Sequence, residues 1–280
     1  MKVALITDST SDLPKPLRER LGIRVVPLYV NLGGRIYKDW EEITPEEIFA
    51  KVREGEAFPT TSQPSPEDFA QVYQEALQEA DHVLSIHISA KLSGTVQSAL
   101  LAAQNHPGRI TVFDSQAASL GIGMMVLRAH ELLSQGHTLE DALSELERIR
   151  RDHFVRFSVA TLEFLRRGGR IGGAQALLGT LLGIKPILTL KEGRVEAAGR
   201  ARGERKAREE ILKAFQAWAV GRKRIRAYFL YSAEEDAVRE LKEMVLSSGL
   251  PVKEALVSEL GAVIASHTGP GTYGFYAYSL

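Results

Sequence analysis

Along the first half of the chain, short apolar runs alternate with longer amphipathic segments, and each switch is punctuated by turn residues. KVALITD is an apolar, β-branched strand ended by DSTSDLP, where Ser11 or Asp12 is placed to cap a helix starting at PKPLRERLG. VVPLYVNLGGRIYKDW reads as two short strands around Gly33 and Gly34. ITPEEIFAKVREG then opens a helix with Thr44 as cap, Pro45 in the first helical position and Glu47 where a capping box needs it. PTTSQPSPEDFAQVYQEALQEA repeats the device with Ser65, Pro66 and Asp68, which leaves Thr60 to Pro64 as an exposed polar loop ahead of a helix.

Next come the strand DHVLSIHIS, a helix from Gly94, the strand RITVFDS and a helix near GIGMMVLRAHELLSQG. Strands alternating with helices of this length predict an α/β fold with a mostly parallel sheet, and ligands belong beyond the carboxyl ends of its strands. Asp8, Thr61, Ser93 and Ser115 lie in or near such loops. After the helix TLEDALSELERIRRD the pattern changes. FSVATLE, KPILTLKEGRVEAAGRAR and IRAYFLYSA are strands, with Glu192 and Gly193 marking a hairpin, so the second half reads as an α+β domain. The boundary falls near Asp152 to Arg156, giving domains 1–155 and 156–280.

Composition narrows the function classes. With 35 basic and 35 acidic side chains in 280 residues the formal net charge is zero, which argues against nucleic acid or an anionic membrane as the main partner. The absence of cysteine removes disulfides, thiolate zinc sites, iron–sulfur clusters and a cysteine nucleophile. The apolar run before Asp8 is too short for a signal-peptide core and no stretch reaches the length of a membrane span, so a soluble cytoplasmic protein without stable membrane insertion is expected.

No cofactor motif is complete. GPGTYG at residues 269–274 matches G-x-G-x-x-G, yet only six residues follow it, too few for the helix and second strand of a dinucleotide fold. GIGMMV lacks the third glycine, and no P-loop is present. Lys91 and Leu92 precede Ser93, so the nucleophile elbow of a hydrolase is missing, although an esterase using Ser93 and His267 stays open. His82, His87 and His106 lack metal-ligand spacing and read as surface or core-edge residues.

What remains is anion recognition by neutral groups. Thr60, Thr61 and Ser62 precede one helix, and Ser93, Gly94 and Thr95 start another; hydroxyls with helix amides suit a carboxylate or phosphate, and they equally suit plain capping. His267 in ASHTGPGTYG offers a further donor or serves as a turn residue. Arg166, Arg167 and Arg170, with Arg200, Arg202, Arg205, Lys206 and Arg208, concentrate positive charge beside glycines, as a solvated face or a docking surface for something anionic. Segments around GIGMMVL and AQALLGTLLG read as helices, either cavity walls or ordinary core.

Taken together and in order, ALITDSTSDLP, PTTSQPSP, SIHISAKLSGTVQSA, VFDSQAASLGIG, LEFLRRGGRIGG, KPIL with GRARGERKA, and SHTGPGTYG resemble the DegV family across essentially the whole chain. The resemblance implies a two-domain protein that encloses one long-chain, palmitate-like fatty acid between its domains. It would be a carrier without a cofactor, presenting the carboxyl group to a separate ATP-binding fatty acid kinase subunit whose acyl-phosphate product feeds phospholipid synthesis. Carried over residue by residue, Thr61, Ser62, Ser93, the Gly94 amide and His267 would hold the carboxyl group. Arg170, Arg200 and Arg202 would lie at the entrance or the partner surface. A carrier or sensor unconnected to phosphorylation is the alternative within the same family.

Overall fold

The computed structural model describes residues 1–55, 57–179 and 183–280. The chain opens with β1 (Val3–Asp8), α1 (Lys15–Arg20) and β2 (Arg24–Val26), then makes an excursion through β3 (Tyr29–Leu32), β4 (Arg35–Lys38), α2 (Pro45–Arg53) and β5 (Thr60–Ser62). It continues through α3 (Pro66–Leu77), β6 (His82–His87), α4 (Thr95–Ala103), β7 (Ile110–Asp114), α5 (Leu120–Ser134) and α6 (Leu139–Arg151). The remainder is β8 (Phe154–Ser158), α7 (Glu163–Arg167), β9 (Ile184–Lys191), β10 (Arg194–Arg202), α8 (Glu204–Ala219), β11 (Ile225–Tyr231), α9 (Asp236–Leu246), β12 (Val252–Glu259), α10 (Ala262–Thr268) and β13 (Tyr273–Ser279).

Three sheets result. The first is parallel, in the order β2-β1-β6-β7, as the alternation of strands and helices predicts. The second, β10-β9-β8-β13-β11-β12, is antiparallel except for the β11–β12 pair, and β8 is its first strand in chain order. A small antiparallel sheet, β4-β3-β5, sits beside them.

Strand alternation divides the core. Leu5 and Leu84 face one way and Ile6 and Val83 the other, so the parallel sheet packs α3 and α4 on one face and α5 on the other. In the second sheet Tyr228 and Tyr276 face α5, while Phe229 and Phe275 face the α8–α9 layer. Helix α5 lies between the two sheets and is buried over most of its length, including Met124, Met125 and Val126, which explains why its sequence is apolar on several sides. No helix among the described residues is long and apolar enough to cross a membrane.

The capping boxes read from sequence are present: Thr44 with Glu47 starts α2, and Ser65 with Asp68 starts α3. The hairpin turn at Glu192 and Gly193 is present as well, both with positive φ.

Four local expectations are corrected. Helix α1 has Pro14 at its cap and no side-chain capping bond. Ser11 instead lies in a 3-10 turn capped by Asp8, while Asp12 carries its carboxylate to the Gly261 N–H, 2.9 Å away. Thr60–Ser62 forms strand β5 rather than loop, because β3 supplies its ladder partners. The AQALLGTLLG segment holds a short 3-10 turn over Gly172–Leu177 rather than an α-helix, and its residues 180–182 lie outside the described residues.

His87 is fully buried instead of lying at the surface or core edge. Its Nδ1 lies 3.0 Å from Asp8 Oδ2 and its Nε2 lies 2.6 Å from Ser85 Oγ, which in turn accepts a 2.9 Å bond from the Tyr73 hydroxyl. A buried imidazole is tolerated there because both ring nitrogens are partnered.

Candidate functional site

A cavity of ≈ 320 Å3 opens between the two main sheets. Its walls are apolar. Leu28 and Ile88 come from the side of the parallel sheet, and Phe157, Leu190, Val195 and Leu230 from the six-stranded sheet, with Val263 and Ile264 of α10 closing another side. Its main polar stretch is Thr61, Ser62, Gln63, Ser93, Gly94, Arg170 and His267, and Ser119, Thr268 and Thr272 add further hydroxyl residues to the lining. Six of the eight residues singled out by sequence therefore meet around one cavity. Arg200 and Arg202 lie on β10, exposed, away from the cavity lining and with no ion pair among the described residues.

Local chemistry positions each polar group. Thr61 is held by strand pairing opposite Val30. Ser93 ends a turn in which the Leu92 and Ser93 amides both donate to Ser89 O, and its hydroxyl lies 2.9 Å from Thr95 Oγ1. Gly94 caps α4 with no side chain of its own, and the Thr95 amide makes a long 3.4 Å bond to Ser93 Oγ, which leaves the Gly94 amide without a side-chain acceptor among the described residues. Gln63 lies over that glycine and donates to Ser98 Oγ at 2.9 Å; a Cβ on Gly94 would fall 2.0 Å from its Oε1.

Arg170 owes its position to the end of α7. Gly169, with φ +71°, lets the Gly169 amide bond Arg166 O and the Arg170 amide bond Leu165 O, a Schellman-type reversal. The reversal carries the guanidinium to Leu92 O, 3.0 Å from Nε, and to Gly168 O, 2.7 Å from Nη1. By contrast Arg166 and Arg167 pair with Glu163, Arg205 and Lys206 with Glu209, and Arg208 with Glu240. Much of the basic cluster seen in the sequence is thus neutralised on its own surface.

His267 Nε2 lies 2.7 Å from Thr61 Oγ1, and Nδ1 is buried without a partner. Burial, reinforced by the nearby Arg170 charge, pushes its pKa down to about 4, so the ring is neutral near pH 7. A buried N–H without an acceptor costs more than a bare lone pair, which assigns the proton to Nε2. Thr61 Oγ1 then accepts from the ring and keeps its own O–H free to donate into the cavity. The esterase arrangement is not assembled: Ser93 bonds Thr95, His267 bonds Thr61, and no carboxylate among the described residues orients Nδ1.

Sequence reading missed Gln63, Ser119 and Gly168. Ser119 lines the cavity with φ +54°. Gly168 packs directly against the His267 ring. The run of glycines in RRGGRIGG was the available signal for a close approach at Gly168.

The model of the DegV family, described as a family of uncharacterised proteins, matches residues 2–280. A DegV domain-containing protein of Deinococcus radiodurans is 45% identical over 276 residues, covering 98% of this chain and 97% of its own length. The structure of a fatty-acid-binding DegV-family protein from Thermus thermophilus is similar at 80% identity and a TM-score of 0.98, with 100% of both chains covered. DegV of Bacillus subtilis, described as a fatty acid binding protein, is similar at 33% identity and a TM-score of 0.88, again over 100% of both chains. Fatty-acid binding is thus a property of DegV-family proteins. A family match over nearly the whole length, together with relatives covered end to end, shows that this chain belongs to the DegV family.

Proposed function

We propose that the chain is a lipid-binding protein that encloses one long-chain fatty acid, its tail along the apolar walls and its carboxyl group at the polar mouth. Domains 1–155 and 156–280 form the two sides of the site. The observation that carries this reading is a patch of neutral polar groups, the Thr61 and Ser93 hydroxyls with His267 behind Thr61, on a cavity whose walls are mostly apolar. In this reading the carboxylate takes hydrogen bonds from the Thr61 and Ser93 hydroxyls and from the amides at Gly94, with Ser62 beside them and Arg170 supplying the nearby positive charge. At about 0.8 kcal/mol per methylene, a tail of roughly fifteen methylenes supplies on the order of 12 kcal/mol before ordering costs, so the tail carries affinity and the mouth carries orientation.

The finer reading is that the oriented carboxyl group is presented to a separate ATP-dependent kinase subunit for acyl-phosphate formation. Two features support it: no nucleotide motif in this chain is complete, and Arg200 and Arg202 lie exposed on the edge strand β10 with no ion pair among the described residues. A reconstituted kinase assay separates the two levels. Ser93→Ala keeps lipid uptake and loses most acyl-phosphate production; full turnover by that variant contradicts the orienting role. Arg202→Glu keeps lipid uptake and weakens kinase docking; unchanged docking contradicts the partner surface. A chain that takes up fatty acid yet supports no turnover with any kinase subunit is instead a stand-alone carrier.

A further inference from the structure

A second groove, of ≈ 590 Å3, lies where the end of α6, strands β8 and β9 and helix α8 meet. Arg150, Arg151, Arg156 and Lys191 line it, against the single carboxylate of Glu192, and Phe154 and Trp218 give it an aromatic side. Arg150 is answered by Glu147 at 2.6 Å. The other three cations have no carboxylate partner among the described residues. Arg151 bonds only the carbonyl of Glu147, and Lys191 is exposed and unpaired.

Arg156 is the decisive group. Its guanidinium is partly buried over the Phe154 ring, 5.4 Å from the centroid, and it donates only to neutral oxygens: Val155 O at 2.7 Å and Thr189 Oγ1 at 2.9 Å. Burial lowers its pKa with no opposing charge nearby, a cost that other partly buried arginines, such as Arg128, Arg148 and Arg226, offset with glutamates. At the lipid mouth Arg170 shows the same bonding to neutral oxygens alone. Within the same groove Trp218 Nε1 is a buried donor without an acceptor.

We propose that this groove is a second binding site, for a small ligand that joins a phosphoryl group to an aromatic or apolar body. A phosphoryl group brings three strong acceptor oxygens and more than one negative charge, which matches donors spread over Arg151, Arg156, Lys191 and Trp218 better than a carboxylate does. The groove's volume falls in the range of about 300–1,000 Å3 usual for small-molecule sites, leaving room beyond the phosphoryl group for a body beside the partly exposed Trp218. The site is separate from the lipid cavity, but Leu190 of β9 lines both.

The test is calorimetric titration of phenyl phosphate and of inorganic phosphate into the wild-type chain, with co-sedimentation on phosphatidic acid and on phosphatidylcholine vesicles. Arg156→Met and Lys191→Met are run beside it; Lys191 is exposed, so its variant keeps the test valid if loss of the partly buried Arg156 disturbs folding. The expected result is saturable binding of phenyl phosphate, stronger than inorganic phosphate and weakened about tenfold or more in a folded variant. Binding to phosphatidic acid vesicles alone, abolished by the same substitutions, supports the site with a lipid headgroup as the phosphoryl source. Absence of binding to every probe, or binding that neither folded variant weakens, overturns it.

Discussion

The His267 ring rests on Gly168: a methyl group added to the α-carbon of Gly168 would lie 2.1 Å from Nδ1. The contact joins the turn after α7, which aims Arg170, to helix α10, which carries the imidazole to Thr61. Gly168→Ala is therefore expected to push the ring away from Thr61 and toward solvent. The His267 pKa, held at about 4 by burial and by Arg170, then rises toward its ordinary 6.5 in an NMR titration. An unchanged titration would show that the ring is not held by this contact.

Thr61 is the donor that the His267 tautomer leaves free. Thr61→Val preserves shape and removes one hydrogen bond to the carboxylate, worth about 1 kcal/mol, so fatty-acid affinity should fall about fivefold with the fold intact. The matched fatty alcohol, lacking the carboxylate, should lose much less. Equal losses for acid and alcohol would place the carboxyl group elsewhere.

Asp39 and His267 make opposed contributions to stability against pH. Burial raises the Asp39 pKa from 3.8 to about 6, so its proton is held more tightly in the folded chain, and its contribution improves as pH falls through that window. The His267 pKa is depressed instead, so its contribution is present above 6.5 and is lost as pH falls toward 4. Asp39→Asn keeps an acceptor for the Val263 amide and removes a buried charge, so it should raise Tm at pH 7.5 and make the decline below pH 6 steeper. His267→Gln should make that decline shallower. Parallel Tm profiles for wild type and both variants would refute the assignment.

Asp8 anchors a different part of the molecule. Its carboxylate accepts from the amides of Thr10 and Ile88 and binds His87 Nδ1, all buried. Because Ile88 lines the cavity, this carboxylate sets the cavity wall as well as the turn after β1. Asp8→Ala leaves several buried groups unpaired and should cost about 3 kcal/mol or more in urea unfolding, while Asp8→Asn costs less. A loss below about 1 kcal/mol for the alanine variant would mean that water replaces the carboxylate.

What the chain discloses without coordinates follows the range of the forces involved. The boxes at Thr44/Glu47 and Ser65/Asp68 and the turn at Glu192–Gly193 were legible because each is decided within a few residues. Strand β5 was not, since Thr60–Ser62 is extended only by pairing with β3 some thirty residues earlier. His87 looked peripheral because its compensating carboxylate, Asp8, is 79 residues away. The mouth residues Thr61, Ser93 and His267 stood out through turn chemistry and family resemblance, whereas Gln63 and Gly168 act through packing that only the fold reveals.

The most direct measurement is native mass spectrometry of the purified chain, followed by denaturation, extraction and identification of any released lipid. One fatty acid per chain, retained under native conditions and released on denaturation, is the predicted result. A chain that is empty as purified and takes up no added fatty acid would contradict the account and leave the Thr61 and Ser93 hydroxyls with only their local bonds to His267 and Thr95.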